Sequence, residues 1–240
     1  MTEIAPHSLA AIQHFPHFQF DTPTRLDVWT MHTAGLSPQS LKAFWELLDE
    51  SQRNRIASLL SQDQRRDALA AHGLARIIVG NFAHLAPDSV RLVALRPGGK
   101  PALAPHVADL IDVNLTHCRD FVGCVVGADC RVGIDAEDLA RELSVDEAAW
   151  PLAAEELDWL ALQATCDVAP AFLHLWTLKE AILKAEGSGL VRDLTSFAVL
   201  PFPPRILRLP PDMGRVSEWR LWQTVQPRNH VVAVAVWQRA

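Results

Sequence analysis

The chain has 240 residues, of which 49% are apolar and 21% charged, so it can bury one large core or two smaller ones. This balance excludes an intrinsically disordered chain and a fibrous repeat. The formal net charge of −6 argues against generic nucleic-acid binding, which needs a basic face, and the absence of tyrosine excludes a phenolic acid or base.

The sequence predicts neither a membrane-spanning segment nor an export signal. Its longest apolar runs, 121–128 and 231–237, fall short of the roughly 20 residues that span a bilayer. Glu3 precedes any apolar run and no basic region opens the chain, which predicts a soluble, cytoplasmic protein without a membrane partner. The four cysteines form no C-x-x-C pair of a zinc site and are expected to be reduced thiols: Cys118, Cys124, Cys130 and Cys166.

The first half of the chain alternates extended and helical segments. An extended segment over 26–31 is followed by Ser37-Pro38, a helix start with proline at the first position. Apolar residues then recur at intervals of three and four over 40–79, with a break near 60–63, which predicts two helices. Further strands are predicted at 90–95, 112–116 and 121–126, with a turn over 96–101.

The second half repeats this order of elements. Its predicted elements are a strand over 131–137, helices over 150–162 and 171–186, and strands near Phe197, at 219–225 and at 231–237. We therefore expect an α+β fold of two similar lobes related by pseudo-twofold symmetry, with an N-terminal lobe over 1–127 and a C-terminal lobe over 128–240. A cleft between two such lobes is a common place for a ligand.

Two carboxylates close the strand predicted over 131–137. Asp135 and Glu137 are spaced by two, so the period of a strand places both side chains on one face. Like charges side by side repel each other. Either these residues lie at a solvent-facing strand end, or a hard divalent cation lies between them, because Mg²⁺ takes one or two carboxylates together with substrate phosphates.

The helix predicted over 171–186 is followed by glycine, which is typical of a helix end. Trp176, Glu180 and Lys184 are spaced by four and therefore share one helix face. One interpretation is an ordinary exposed Glu–Lys pair, although tryptophan is a poor choice for a solvated stripe. The other is that Glu180 supplies a third metal carboxylate and Lys184 an ammonium group that meets a phosphate.

Two motifs in the chain resemble those of the Sfp-type 4′-phosphopantetheinyl transferases. The family motif G-[IV]-D-x-E stands here as Gly133-Ile134-Asp135-Ala136-Glu137. The family motif W-[ST]-x-K-E-x-x-x-K-x-x-G-x-G-L runs here from Trp176 through Lys179, Glu180 and Lys184 to Gly187, Gly189 and Leu190. Two weaker features precede them, Gly99-Lys100-Pro101 and Asn114-Leu115-Thr116-His117. All four occur in the family order and span residues 99–190.

The resemblance implies transfer of the phosphopantetheine arm of coenzyme A to a serine of an acyl or peptidyl carrier protein, with release of 3′,5′-ADP. It implies that Asp135, Glu137 and Glu180 bind Mg²⁺, which also holds the coenzyme A pyrophosphate. Such a site suits phosphoryl transfer, where positioning and charge neutralisation supply most of the catalysis. Lys184 would contact the pyrophosphate and stabilise or protonate the departing oxygen, whereas Lys179 is expected to be a helix-surface charge.

The family also places a glutamate base on the preceding helix, where it takes the serine proton directly or through water. Glu155 is our candidate for this base. Glu156 is the alternative, because the aromatic residue that the family carries shortly before this glutamate stands here as Trp150-Pro151. A third interpretation makes Glu155 a solvated first-turn glutamate that is favoured by the helix dipole.

Residues of the first half resemble those that bind the nucleotide of coenzyme A. His117, with Asn114 and Thr116 before it, resembles the family histidine near the 3′-phosphate, and Lys100 on its turn is expected to contact the nucleotide. Cys118 replaces a small hydroxyl residue. Arginines of the N-terminal helices resemble a basic family cluster in which one arginine meets the 3′-phosphate; Arg66 is our candidate, with Arg65 and Arg76 as alternatives.

The resemblance further implies a monomer that holds coenzyme A and Mg²⁺ in the cleft between its lobes. A generally acidic carrier protein would dock beside this cleft through apolar contacts and a few basic residues. Two other functions fit the same residues. One is Mg²⁺-dependent hydrolysis of a nucleotide pyrophosphate, and the other is a non-catalytic adaptor that binds coenzyme A or a carrier protein.

Overall fold

The computed structural model describes residues 12–14, 24–94, 101–103, 111–143, 152–164 and 168–238. The chain divides into two compact units, Met1–Cys130 and Arg131–Ala240. Helices and strands both contribute to the described part of the chain, which confirms the mixed α+β class. The predicted boundary after residue 127 and the pseudo-twofold relation remain predictions.

The first unit contains an antiparallel sheet of four described strands. They are β1 (Ile12–His14), β2 (Leu26–His32), β5 (Ile111–Cys118) and β6 (Phe121–Ala128), and their order in the sheet is β1-β2-β6-β5. The short strands β3 (Leu92–Ala94) and β4 (Pro101–Leu103) pair with each other. Strand β6 is buried along nearly its whole length, because it has a partner on each side and a helix over one face.

Within residues 24–94 the structure contains three α-helices, where the sequence predicts two. They are α1 (Pro38–Leu47), α2 (Glu50–Ala57) and α3 (Gln62–Ala83). The predicted start is confirmed, since the Ser37 side chain accepts a hydrogen bond from the amide of Ser40 and Pro38 is the first helical residue. The additional break arises because the Asp49 carboxylate accepts from the amide of Gln52 at 2.9 Å and so caps a new helix.

The second unit contains a three-stranded antiparallel sheet and a separate hairpin. The sheet is formed by β7 (Arg131–Asp138), β10 (Trp219–Gln226) and β11 (His230–Trp237) in the order β10-β11-β7. The hairpin joins β8 (Ala198–Pro201) to β9 (Pro204–Arg208), and the sequence predicts no second strand there. The α-helices in the described part of this unit are α4 (Ala154–Ala161) and α5 (Val168–Glu186).

Strand β7 lies directly against helix α5. A Cβ atom at Gly133 would lie 2.0 Å from the carbonyl oxygen of Ala181 and 2.5 Å from the amide nitrogen of Ala185. Only a residue without a side chain permits this approach. Because alternate residues of a strand share a face, Asp135 and Glu137 lie on the same side as Gly133, towards α5.

We expect Gly133→Ala to destabilise the protein by about 3 kcal/mol, because the new methyl group must push the strand away from the helix backbone. Chemical denaturation of both proteins measures this change in the free energy of unfolding. The matched control is Gly35→Ala, since a Cβ atom at Gly35 would meet no atom within 4 Å. Equal effects of the two substitutions would contradict the close contact.

None of the described helices combines the length and the apolar composition that crossing a membrane requires.

Candidate active site

The acidic end of β7 meets the last turns of α5. Asp135 is 6% exposed, and its Oδ1 atom accepts a hydrogen bond from Lys184 Nζ at 2.6 Å. Lys184 Nζ also donates to the carbonyl oxygen of Ile134 at 3.1 Å. Two hydrogen bonds therefore fix the ammonium group of Lys184 to β7. The sequence alone also allows a pair between Lys184 and Glu180.

Glu180 lies on the same face of α5, one turn before Lys184. Its Oε1 atom is buried and accepts no hydrogen bond from the described residues. Burial raises the pKa of Glu180 to about 7; the negative charge of Asp135 acts in the same direction, Lys184 opposes it, and Glu137 adds a smaller upward effect. Three carboxylates thus influence one another. The pairing of Lys184 with Asp135 rules out an ordinary exposed Glu–Lys pair.

The third carboxylate, Glu137, has a cationic partner of its own. Arg141 Nε donates to Glu137 Oε2 at 2.7 Å. The two side chains are 25% and 17% exposed, so the pair is mostly shielded from water. The sequence does not predict the pair of Arg141 with Glu137, because Arg141 follows β7 in a segment without regular structure.

The donor set suits a hard divalent cation, since it consists of carboxylate oxygens and includes the buried Oε1 atom of Glu180 that no described group satisfies. No three His, Cys, Asp or Glu side chains within the described ranges are already arranged as a metal site. The ligation predicted for Asp135, Glu137 and Glu180 therefore stays a prediction.

In the first unit, the predicted nucleotide-binding residues lie at the end of β5. Asn114 and Thr116 are buried, whereas His117 is exposed. A cavity of about 400 Å³ opens beside His117. Its lining residues are Leu59, Asp63, Gln64, Asp67, His117, Cys118 and Arg119. The cavity brings His117 and Cys118 together with the start of α3.

The three candidate arginines have different surroundings. Arg66 contacts carboxylates of Asp63 at 2.8 Å and Asp67 at 3.2 Å, and it also pairs with Asp120. Arg65 is exposed, and its Nε donates to the carbonyl oxygen of Leu59 at 2.7 Å. Arg65 is exposed and Arg66 is half-buried, so both side chains reach the surface of the unit.

Arg76, by contrast, is completely buried and donates to the carbonyl oxygen of His72 at 3.3 Å. Burial lowers the pKa of the neighbouring His72 to about 4, and the positive charges of Arg76, Arg55 and His117 lower it further. The Asp49 carboxylate, 3.6 Å from Arg76, opposes this lowering of the His72 pKa.

Comparison with known proteins adds evidence that is independent of this geometry. Residues 131–235 match the model of the 4′-phosphopantetheinyl transferase superfamily, and this range runs from the start of β7 almost to the end of β11. The chain is 29% identical to the 4′-phosphopantetheinyl transferase HetI of Nostoc sp., over 78% of this chain and 82% of HetI. It is 25% identical to the 4′-phosphopantetheinyl transferase Sfp of Bacillus subtilis, over 68% of this chain and 71% of Sfp.

The chain belongs to the 4′-phosphopantetheinyl transferase superfamily. It is an enzyme of the phosphopantetheinyl transferase class. A further relative, from Schizosaccharomyces pombe, is named L-aminoadipate-semialdehyde dehydrogenase-phosphopantetheinyl transferase and is 28% identical over 60% of each chain.

One motif residue of this transferase has a different environment from the one expected. Lys179 is not a helix-surface charge: its side chain is completely buried, and its Nζ atom donates to Glu156 Oε1 at 2.6 Å and Oε2 at 2.8 Å. It also donates to the carbonyl oxygen of Phe197 at 3.0 Å. Burial lowers the pKa of Lys179, and the negative charge of Glu156 opposes that shift.

The two candidate bases of the transferase are clearly separated by their surroundings. Glu156 is completely buried, and its carboxylate also accepts from the amides of Ala153 and Val199 at 2.8 and 3.0 Å. Glu155 reaches solvent and accepts from Arg208 Nε at 3.1 Å, which lowers the pKa of Glu155. The Glu156 carboxylate is therefore occupied by buried structural contacts, whereas Glu155 is accessible to solvent. The role of Glu155 as the base stays a prediction.

Some predicted features of the transferase lie outside the described residues. They are Lys100 with its turn, the Trp150-Pro151 pair and Cys166.

Proposed function

We propose that this enzyme transfers the 4′-phosphopantetheine group of coenzyme A to a serine hydroxyl of an acyl or peptidyl carrier protein, with Mg²⁺, and releases 3′,5′-ADP. The observation that carries the proposal is the meeting of Asp135, Glu180 and Lys184 where β7 contacts α5. These are the residues on which the two family motifs converge.

The reaction forms one bond and breaks another at a single phosphorus atom. The serine oxygen bonds to the phosphorus that carries pantetheine, and the bond from that phosphorus to the bridging pyrophosphate oxygen breaks. The proton of the serine hydroxyl passes to a base, and the departing oxygen leaves on 3′,5′-ADP. Charge accumulates on the phosphoryl oxygens, so positive groups in fixed positions provide most of the stabilisation.

Asp135, Glu180 and Glu137 would hold Mg²⁺ as oxygen ligands. When bound, Mg²⁺ would neutralise negative charge on the pyrophosphate. Lys184 would bind the pyrophosphate and stabilise or protonate the departing oxygen. Its present bonds to Asp135 and to the carbonyl of Ile134 keep its ammonium group beside the carboxylates.

Glu155 is the proposed base for the serine proton, because it reaches solvent whereas Glu156 does not. Its ion pair with Arg208 makes it a weaker base until that contact opens. Arg66, Thr116 and His117, together with Lys100, are proposed to bind the nucleotide part of coenzyme A. The cavity beside His117 supports the assignment of His117.

We expect the purified protein to add one phosphopantetheine to an apo carrier protein in the presence of coenzyme A and Mg²⁺, and a chelator to prevent the addition. The intact mass of each carrier, measured with and without chelator, tests this. The panel includes fatty-acid, polyketide and peptide-synthetase carriers and, because of the name of the Schizosaccharomyces pombe relative, the carrier domain of aminoadipate-semialdehyde dehydrogenase.

Two other outcomes would replace the proposal. Release of 3′,5′-ADP without any carrier would identify a pyrophosphate hydrolase. Binding of coenzyme A without mass gain on any carrier would identify an adaptor. In either case the products of the same incubation, separated by liquid chromatography, distinguish the three functions.

A further inference from the structure

Arg141 has no role in the proposed reaction, yet it contacts a residue of the site. Its Nε atom donates to Glu137 Oε2 at 2.7 Å, and its Nη1 atom donates to the carbonyl oxygen of Glu142 at 3.4 Å. The guanidinium group is thus bonded both to the side chain of β7 and to the backbone that follows the strand. These contacts hold a full positive charge beside the acidic end of β7.

A second cationic side chain of the same site, Lys184, forms an ion pair with Asp135. Two of the three carboxylates are therefore already paired with cations of the chain itself. A divalent cation that binds Asp135 and Glu137 must compete with these ammonium and guanidinium groups. In the proposed reaction Lys184 can leave Asp135 and bind the pyrophosphate instead. The proposed reaction assigns no such alternative partner to Arg141.

We propose that Arg141 is a positioning residue that competes with the divalent cation for Glu137 and so weakens metal binding by the enzyme before coenzyme A arrives. This inference rests on the proposed function, because it takes the three carboxylates as the metal site. It assigns to Arg141 a control over metal affinity that the family motifs do not contain.

The charge of Arg141 determines whether its removal strengthens or weakens metal binding. A neutral donor next to a metal-binding carboxylate orients that ligand, and its loss weakens metal binding. A guanidinium group instead carries a full positive charge and repels a divalent cation. Removal of the Arg141 charge therefore removes this competitor for Glu137 and increases the net negative charge of the site, so metal binding becomes tighter.

Binding of Mn²⁺, which takes the same oxygen ligands as Mg²⁺, tests the inference directly. The signal of free Mn²⁺ in electron paramagnetic resonance is titrated with the wild-type protein and with Arg141→Gln. We expect Arg141→Gln to bind Mn²⁺ about threefold to tenfold more tightly without coenzyme A. The matched control is Arg220→Gln, because Arg220 is exposed and donates to the backbone carbonyls of Ser217 and Trp219.

A second pair of variants shows whether Arg141 acts through Glu137. In the Glu137→Gln background, Arg141→Gln should raise the affinity for Mn²⁺ by less than it does in the wild-type background, since charge repulsion remains but the competed carboxylate is absent. Arg141→Lys keeps a cation but loses the Nε donor, and it should bind Mn²⁺ with intermediate affinity. This variant also keeps the test decisive if Arg141→Gln folds poorly, as judged by circular dichroism.

Each result decides the question. Unchanged or weaker binding by Arg141→Gln, with normal binding by the wild-type protein, would overturn the role of Arg141 and leave the proposed function intact. An equal effect of Arg141→Gln with and without Glu137 would also overturn it. If the wild-type protein binds no Mn²⁺ even with coenzyme A, the metal site itself fails and both proposals are wrong.

Discussion

Glu180→Gln is expected to lower the rate of phosphopantetheine transfer by about 10²- to 10³-fold at saturating coenzyme A. Glutamine has nearly the same shape but no charge, so it removes a metal-binding oxygen anion without leaving a cavity. The substitution also removes a buried carboxylate that Asp135 and Glu137 repel. The melting temperature of the metal-free protein should therefore be equal to, or higher than, that of the wild type.

Intact-mass measurement of carrier modification over time gives the rate, and a thermal melt gives the stability of the same preparation. The control is Glu46→Gln, since the side chain of Glu46 is 59% exposed and lies on α1. We expect this control to retain wild-type activity. Undiminished transfer by Glu180→Gln would remove Glu180 from the site, whereas lost activity together with a strongly lowered melting temperature would assign it a structural role.

Lys179→Met is expected to lower the free energy of unfolding by about 3–5 kcal/mol, because it leaves the buried carboxylate of Glu156 without its counter-charge. Urea denaturation followed by circular dichroism measures this change. The same substitution at an exposed lysine of α1, Lys42→Met, should change the free energy of unfolding by less than about 0.5 kcal/mol. The side chain of Lys42 is 77% exposed and its contact with Glu46 is 3.8 Å long.

A double variant tests the physical cause of this loss. Glu156→Gln in the Lys179→Met background removes the uncompensated charge and keeps an oxygen that can accept from the amide of Val199. We therefore expect it to recover part of the lost stability. If Glu156→Gln instead adds a further loss to that of Lys179→Met, the effect does not come from an unpaired charge.

The elements that carry the site could be predicted because their signals are local. The Ser37-Pro38 start follows from capping chemistry, and the common face of Asp135 and Glu137 follows from the period of a strand. The four-residue spacing of Glu180 and Lys184 likewise fixes their common helix face. Each of these inferences needs only a few neighbouring residues.

The partners of these residues could not be predicted in the same way. Glu156 and Lys179 are 23 positions apart, and their contact depends on how α4 packs against α5. Arg141 pairs with Glu137 through a segment after β7 that has no regular period. Strand β9 was missed because Pro201, Pro203 and Pro204 make its surroundings resemble a loop, since proline is rare inside sheets.

The backbone contact at Gly133 has a consequence for variation in this enzyme. Where side chains separate a helix from its sheet, exchanging one apolar residue for another adjusts the spacing between them. Here the carbonyl oxygen of Ala181 faces a glycine, so no side chain at position 133 is available for such an adjustment. Changes in substrate preference are therefore expected at residues away from this contact, while the separation between the strand and helix carboxylates stays constant.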